Sequence, residues 1–168
     1  VYGGIEGGIE KWAKILMPIL LLLLILLIIY TNLLPGSGRG LTFYLKPDFS
    51  KINGKIILAA LGQAFFSLSL GMGLMVTYGS YISKKDNLIT SGIYVVLADT
   101  VIAIMAGLII FPALFAMNQD PAAGPGLVFN VLPAIFQNMP FGIPIGVVFF
   151  ILLSIAALTS TISLLEVP

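Results

Sequence analysis

Charged residues divide this chain into long uncharged apolar stretches, and their spacing constrains the fold more than any other feature. A helix needs about 20 predominantly apolar residues to cross the hydrocarbon core of a bilayer. Four stretches reach that length, namely 15–34, 56–82, 88–115 and 143–167. The acid in the middle of such a stretch is Asp99. We therefore predict an all-α membrane protein with four transmembrane helices.

The composition agrees with this class and excludes several others. Hydrophobic residues make up 59% of the chain and charged residues 9%, whereas soluble domains carry about 25% charged residues. Cysteine and histidine are absent, which excludes disulfides, zinc sites and histidine-based triads within the chain. The net charge of +1 says nothing about nucleic acid, but no basic cluster is interleaved with aromatics, so we expect no nucleic-acid partner. No nucleophile–base pair is visible, so we do not expect an enzyme.

The segments outside the spans suggest how the chain is organised. Residues 35–40 (PGSGRG) predict a break in helical structure. Residues 116–142 are too apolar for a free loop, so we expect short helices folded back as a lid or re-entrant element; a loosely packed loop is the alternative. The chain begins at Val1 and ends in an apolar run, so we interpret it as a piece of a longer protein, with a complete small protein as the alternative.

The second span carries polar and glycine residues that a simple membrane anchor would not need. Within it lie Gly62, Ser67, Ser69, Gly71 and Gly73. Polar, glycine-rich backbone at membrane depth usually lines a site, although small residues also serve close helix packing. If the helix unwinds from Ser67 to Gly73, the freed carbonyls can bind a cation and the freed N–H groups an anion.

Asp99 and a cluster of hydroxyls are further candidates for a binding site. An acid at the centre of a spanning helix costs about 2.5–3.5 kcal/mol, so Asp99 should pair with a cation, a proton or a helix outside this chain. A protonated acid bonded to Thr100 or to a neighbouring helix is the alternative. Thr159 and Ser160 either bond back to their own helix carbonyls or supply oxygen ligands for a hard monovalent cation.

Taken in order, these segments resemble the neurotransmitter:sodium symporter family. Residues 62–71 (GQAFFSLSLG) are similar to its unwound sixth helix, and 77–81 to the cytoplasmic end of that helix. Residues 91–99 with 111–113 are similar to the seventh helix, 132–136 to the following extracellular loop, and 156–160 to the eighth helix. Gly8 and Pro18 match the glycine–proline spacing of the fifth helix.

The resemblance implies a leucine-transporter-type inverted-repeat fold. The chain would hold its fifth to eighth transmembrane helices, and the second helix of the chain would be unwound in mid-membrane. Basic residues number four on either side of the spans, which leaves the orientation open on charge alone. The resemblance places Lys84 and Lys85 in the cytoplasm and residues 116–142 outside the cell.

The resemblance also implies two sodium sites, each only partly present in this chain. The first would use Ser67 and Asp99. The second would use the backbone of Ala156 with Thr159 and Ser160. The residues implied for the substrate pocket are Phe66, Ser69, Met72, Thr161 and Leu164. Gln63 lies where chloride-dependent relatives hold the anion, and Ser80 and Tyr81 would belong to the inner gate.

Two departures from the family pattern affect what is expected. Asp99 stands where asparagine is common, and its fixed charge beside Gln63 predicts that chloride is not required. Met72 replaces a common phenylalanine, which leaves the size of the pocket open.

The implied function is a sodium-coupled secondary transporter in the plasma or inner membrane, importing amino acids or related small amines by alternating access. Its partners would be the substrate, the lipid bilayer and the remaining helices. A non-transporting four-helix membrane subunit and an ion channel component are the alternatives.

Overall fold

The computed structural model describes residues 10–71, 73–81, 87–118 and 127–165. Over these residues the chain is helical, which confirms the all-α expectation. The helices are α1 (Glu10–Asn32), α2 (Ser37–Leu45), α3 (Gly54–Ser67), α4 (Leu74–Tyr81), α5 (Leu88–Ala116), α6 (Leu127–Asn138) and α7 (Gly142–Leu165), with a 3₁₀ turn at Phe49–Lys51.

Three helices in the described part of the chain are long and apolar enough to cross a membrane. These candidate spans are Lys14–Asn32, Leu88–Ala116 and Gly142–Thr161. They correspond to the first, third and fourth predicted spans. The second predicted span, 56–82, is divided instead between the shorter helices α3 and α4. Neither of the two is long enough alone, so a fourth crossing would require both together.

The chain forms two compact units, of which the first comprises Val1–Lys46 and Met105–Thr159. Its core draws apolar side chains from α1, α6, α7 and the second part of α5. The buried core residues are Leu23, Leu27, Ile109, Ala113, Leu114, Val131, Leu132, Ile135, Phe136, Phe149 and Leu152. This unit therefore has a continuous core of its own.

A helix begins inside the segment where the sequence predicts a break. The helix α1 ends at Asn32 and Gly36 has a left-handed φ of 88°, but α2 starts at the next residue. A Cβ atom at Gly40 would lie 2.3 Å from the carbonyl oxygen of Phe111 in α5. The ring of Tyr44 stacks on that of Phe111 at 5.0 Å between centroids. Close packing against α5 thus outweighs the low helix propensity of glycine, and the predicted break was wrong beyond Gly36.

The apolar region before the last span contains α6, which packs tightly against α7. A Cβ atom at Gly142 would lie 1.7 Å from the carbonyl oxygen of Phe136, and one at Gly146 would lie 2.9 Å from its ring. The Tyr30 hydroxyl donates a hydrogen bond of 2.7 Å to the carbonyl of Asn138. This helix is therefore held by α1 and α7, unlike a loosely packed loop. Its place outside the membrane stays a prediction.

The second unit is Pro47–Ile104 with Ser160–Pro168, and few of its described side chains are buried. The side chain of Asn53 caps α3 by accepting a hydrogen bond from the N–H of Ile56. Along α3 no residue is buried, and Leu58 and Phe66 are each 69% exposed. An apolar surface of this extent marks a face that contacts lipid or other protein.

The 3₁₀ turn that precedes α3 is a charged surface feature. Asp48 accepts a hydrogen bond from the Ser50 hydroxyl at 2.5 Å and pairs with Lys51 at 3.2 Å. The hydrogen bond from the Ser50 hydroxyl is the largest cause that lowers the pKa of the Asp48 carboxyl below its ordinary value, and the bond from Lys51 is the next largest. The turn is polar and charged, in contrast to the apolar helix that follows it.

Candidate functional site

The second unit contains a break between α3 and α4. Three residues there have left-handed backbone, namely Ser69 (φ 55°), Gly71 (φ 85°) and Gly73 (φ 78°). Glycine adopts this conformation readily, whereas for other L-residues it costs roughly 1–2 kcal/mol. The two glycines singled out from the sequence therefore permit the chain to leave the helix and re-enter it. Met72 lies outside the described residues.

The break leaves backbone oxygens available for binding. The N–H of Leu70 donates to the carbonyl of Phe65 at 2.9 Å, and that of Ser69 to Phe66 at 3.1 Å. Among the described residues, no backbone N–H donates to the carbonyls of Ser69 or Leu70. Carbonyls that the N–H groups four residues later do not reach are suited to coordinate a cation.

The last residue of α3 meets the candidate acid of α5. The Ser67 hydroxyl donates a hydrogen bond of 2.6 Å to Oδ1 of Asp99, across 32 positions of sequence. The Thr100 hydroxyl donates instead to the carbonyl of Val96 at 2.8 Å. Of the two bonds that the sequence left as alternatives for Asp99, the one from a neighbouring helix is therefore present and the one from Thr100 is not. A carboxylate and a hydroxyl held together in this way are hard oxygen donors of the kind that suits a sodium ion. The described residues hold no group of three or more His, Cys, Asp or Glu that suits another metal.

The second set of candidate ligands lies within one turn of α7. The Thr159 hydroxyl donates to the Ala156 carbonyl at 2.7 Å, which is the local bond that the sequence left as an alternative. The same bond holds these two oxygens side by side. Thr159 is half-buried, whereas Ser160 is exposed.

The other predicted site residues differ in how far the structure describes them. Gln63, Phe66 and Thr161 are exposed, and Ser69 is half-buried in the break. The hydroxyl of Ser80 donates to the carbonyl of Thr77 at 2.6 Å within α4. The remaining predictions fall outside the described residues or side chains: Gly8, Met72, the side chain of Tyr81, Lys84, Lys85 and the side chain of Leu164.

Comparison with known sequences identifies the family. The sequence profile of the sodium:neurotransmitter symporter family matches residues 1–168, which is the whole chain. The chain belongs to this family. A sodium-dependent transporter of Haemophilus influenzae is 48% identical over 98% of the chain and 36% of its own length. A sodium-dependent transporter of Bacillus subtilis is 44% identical, again over 98% of the chain and 36% of its own length.

A solved structure supports the same assignment. The crystal structure of MhsT in complex with L-phenylalanine matches with a TM-score of 0.88 and 53% sequence identity. The match covers 92% of this chain and 35% of MhsT. The symporter chain thus spans about a third of the length of these relatives and has the helical fold of the matching part of MhsT. The expectations of a membrane protein and of a transporter family, not an enzyme family, are confirmed.

Reasoning from the sequence missed two polar residues near the end of α1. Tyr30 bonds to α6, and the amide of Asn32 donates to the carbonyl of Leu108 in α5 at 3.2 Å. Both were included in the first apolar span without a role. Pro112, inside another span, was the available signal. A proline has no N–H, so the carbonyl four residues before it needs a hydrogen-bond donor from elsewhere.

Proposed function

We propose that this chain is part of a sodium-coupled secondary transporter that imports amino acids or related small amines. The observation that carries this proposal is the Ser67–Asp99 hydrogen bond beside the break between α3 and α4. A carboxylate and a hydroxyl beside an interruption between two apolar helices supply oxygen ligands suited to a dehydrated sodium ion. Membership of the symporter family supports the same function.

Two sodium ions would each find part of their ligands here. Ser67 and Asp99 would bind the first ion, with help from the carbonyls exposed at the break. The Ala156 carbonyl, Thr159 and Ser160 would bind the second. Since the chain spans about a third of its relatives' length, the other ligands would come from helices outside this segment.

The substrate pocket would adjoin the first sodium site. Its lining would include Phe66, Ser69 and Met72 near the break, and Thr161 and Leu164 on α7. The N-terminal end of α4 carries the positive end of a helix dipole, which attracts an anionic group such as a substrate carboxylate. The L-phenylalanine bound by MhsT supports an amino acid as the substrate class.

The break would also serve as a hinge. In this arrangement α3 and α4 together form one of four membrane crossings in the plasma or inner membrane. Residues 116–142 lie outside the cell, and Lys84 and Lys85 lie in the cytoplasm. Ser80 and Tyr81, at the end of α4, belong to the inner gate. Alternating access then requires α4 to move relative to α3, and left-handed glycines can absorb such a change in backbone angles.

Uptake in proteoliposomes tests this function. We expect the full-length transporter that contains this chain to accumulate radiolabelled L-phenylalanine or another amino acid when sodium is high outside. Replacement of external sodium by potassium should reduce uptake to the level of empty vesicles. Saturable uptake that needs sodium would support the symporter. Ionic current without saturable uptake would indicate a channel, and neither activity a non-transporting subunit.

Chloride should not be required for this transport. Asp99 provides a fixed negative charge near Gln63, and such a charge can take the place of a bound chloride ion beside sodium. We expect uptake in sodium gluconate to equal uptake in sodium chloride. The variant Asp99→Asn, which removes the charge but keeps the shape, should instead respond to added chloride. Strong chloride dependence of the unmodified transporter would contradict the proposal.

A further inference from the structure

Pro112 leaves one carbonyl of α5 without its helical partner. Proline has no N–H, so the carbonyl four residues earlier, that of Leu108, receives no hydrogen bond from position 112. Leu108 is half-buried, and a carbonyl without a donor in the hydrocarbon region of a membrane is unfavourable. The side-chain amide of Asn32, at the end of α1, donates to this carbonyl at 3.2 Å. A neighbouring helix thus supplies the donor that Pro112 lacks.

The orientation of the Asn32 amide is held by its own surroundings. Its nitrogen also donates to the carbonyl of Ile28 at 2.7 Å, while its backbone carbonyl accepts from the Ser37 hydroxyl at 2.9 Å. Its Oδ1 is buried and has no hydrogen-bond partner among the described residues. An inverted amide would place this oxygen against two carbonyl oxygens. The nitrogen therefore faces both carbonyls.

We propose that Asn32 is a positioning residue that locks α1 to the second part of α5 by replacing the N–H missing at Pro112. Both helices belong to the first unit, and α2 packs on the same stretch of α5 through Gly40. The side chain of Asn32 thus supplements the packing of α5 with a bond to its main chain. The proposal concerns the fold of this unit, and only its transport readout rests on the proposed function.

A double-mutant cycle tests the hydrogen bond from Asn32 to the Leu108 carbonyl in the full-length transporter. Asn32→Ala should lower the midpoint of thermal unfolding in detergent by about 2 °C, as expected when one hydrogen bond is lost from a large protein. Pro112→Ala restores an N–H that can bond to Leu108. In that background Asn32→Ala should have less than half of its effect. Equal effects of Asn32→Ala in the two backgrounds would overturn the proposal.

Asn138 offers a matched control. Its amide donates to the carbonyl of Ala134 at 2.8 Å, four residues earlier on its own helix, just as Asn32 does to Ile28. Asn138→Ala should therefore shift the midpoint clearly less than Asn32→Ala, and an equal shift would show that the bond to Leu108 contributes nothing.

Transport gives a second readout. The maximal rate of sodium-driven uptake should fall in Asn32→Ala and recover in the double variant. A transporter without any sodium-driven uptake would contradict the proposed function, while the unfolding cycle would still decide the role of Asn32.

Discussion

Asp99→Ala is expected to abolish sodium-driven uptake at ordinary sodium concentrations. Asp99 supplies the carboxylate of the proposed first sodium site, and the Ser67 hydroxyl donates to it at 2.6 Å. Loss of one partner from a desolvated charge pair costs about 3–5 kcal/mol. The sodium concentration for half-maximal uptake should therefore rise on the order of 100-fold or more. Uptake titrated with sodium in proteoliposomes measures this shift.

The adjacent residue provides the control for Asp99. Thr100 donates only to the carbonyl of Val96 on its own helix, so Thr100→Val removes a hydroxyl from the same stretch of α5 without touching the proposed site. We expect its sodium titration to match that of the unmodified transporter. If Asp99→Ala kept a normal sodium titration, the assignment of this carboxylate to the sodium site would be refuted.

Gly40→Ala is expected to destabilise the protein more than any other single methyl group added to α2. The new Cβ atom would lie 2.3 Å from the carbonyl oxygen of Phe111 and 2.7 Å from the Cα of Pro112. Both neighbours are backbone atoms that cannot rotate away, so we expect a cost of about 3 kcal/mol, the upper end for overpacking. The midpoint of thermal unfolding should fall by roughly 6 °C or more.

Gly38, on the same helix, provides a control variant that distinguishes the clash at Gly40 from a general effect of replacing glycine by alanine. A Cβ atom there meets nothing within 4 Å, and alanine is favoured over glycine in a helix by about 1 kcal/mol. Gly38→Ala should leave the unfolding midpoint unchanged or raise it. Similar midpoints for the two variants, measured in detergent by intrinsic fluorescence, would disprove the close contact between α2 and α5.

Three of the four predicted spans are single helices, and they were predictable because charge spacing is a local property. A run of 20 or so apolar residues is long enough to cross the bilayer, and α1, α5 and α7 follow the predicted bounds closely. The helix α2 was not predictable in this way. Gly40 is helical because it packs against Phe111, which lies 71 positions away in the printed sequence. Local propensity contains no information about that contact.

In the candidate site, too, the features set by local sequence were predictable and those set by distant contacts were not. The glycines of the break could be singled out from the sequence, since few other residues adopt left-handed backbone at so little cost. The partner of Asp99 could not, because Ser67 is 32 positions away. Only the family resemblance placed the two together. Asn32 escaped notice because its role depends on Pro112, a residue of another helix.

The contact between Phe136 and the two glycines of α7 has a consequence for spectroscopy. The backbone of α6 contacts Gly142 directly, with no flexible side chain in between. We therefore expect α6 and the first turn of α7 to move together as one rigid body. Phe129, on the exposed side of α6, is far in sequence from every proposed ligand in α7. A fluorophore or spin label at that position would report displacements of α7 during turnover and leave the ion-binding residues untouched.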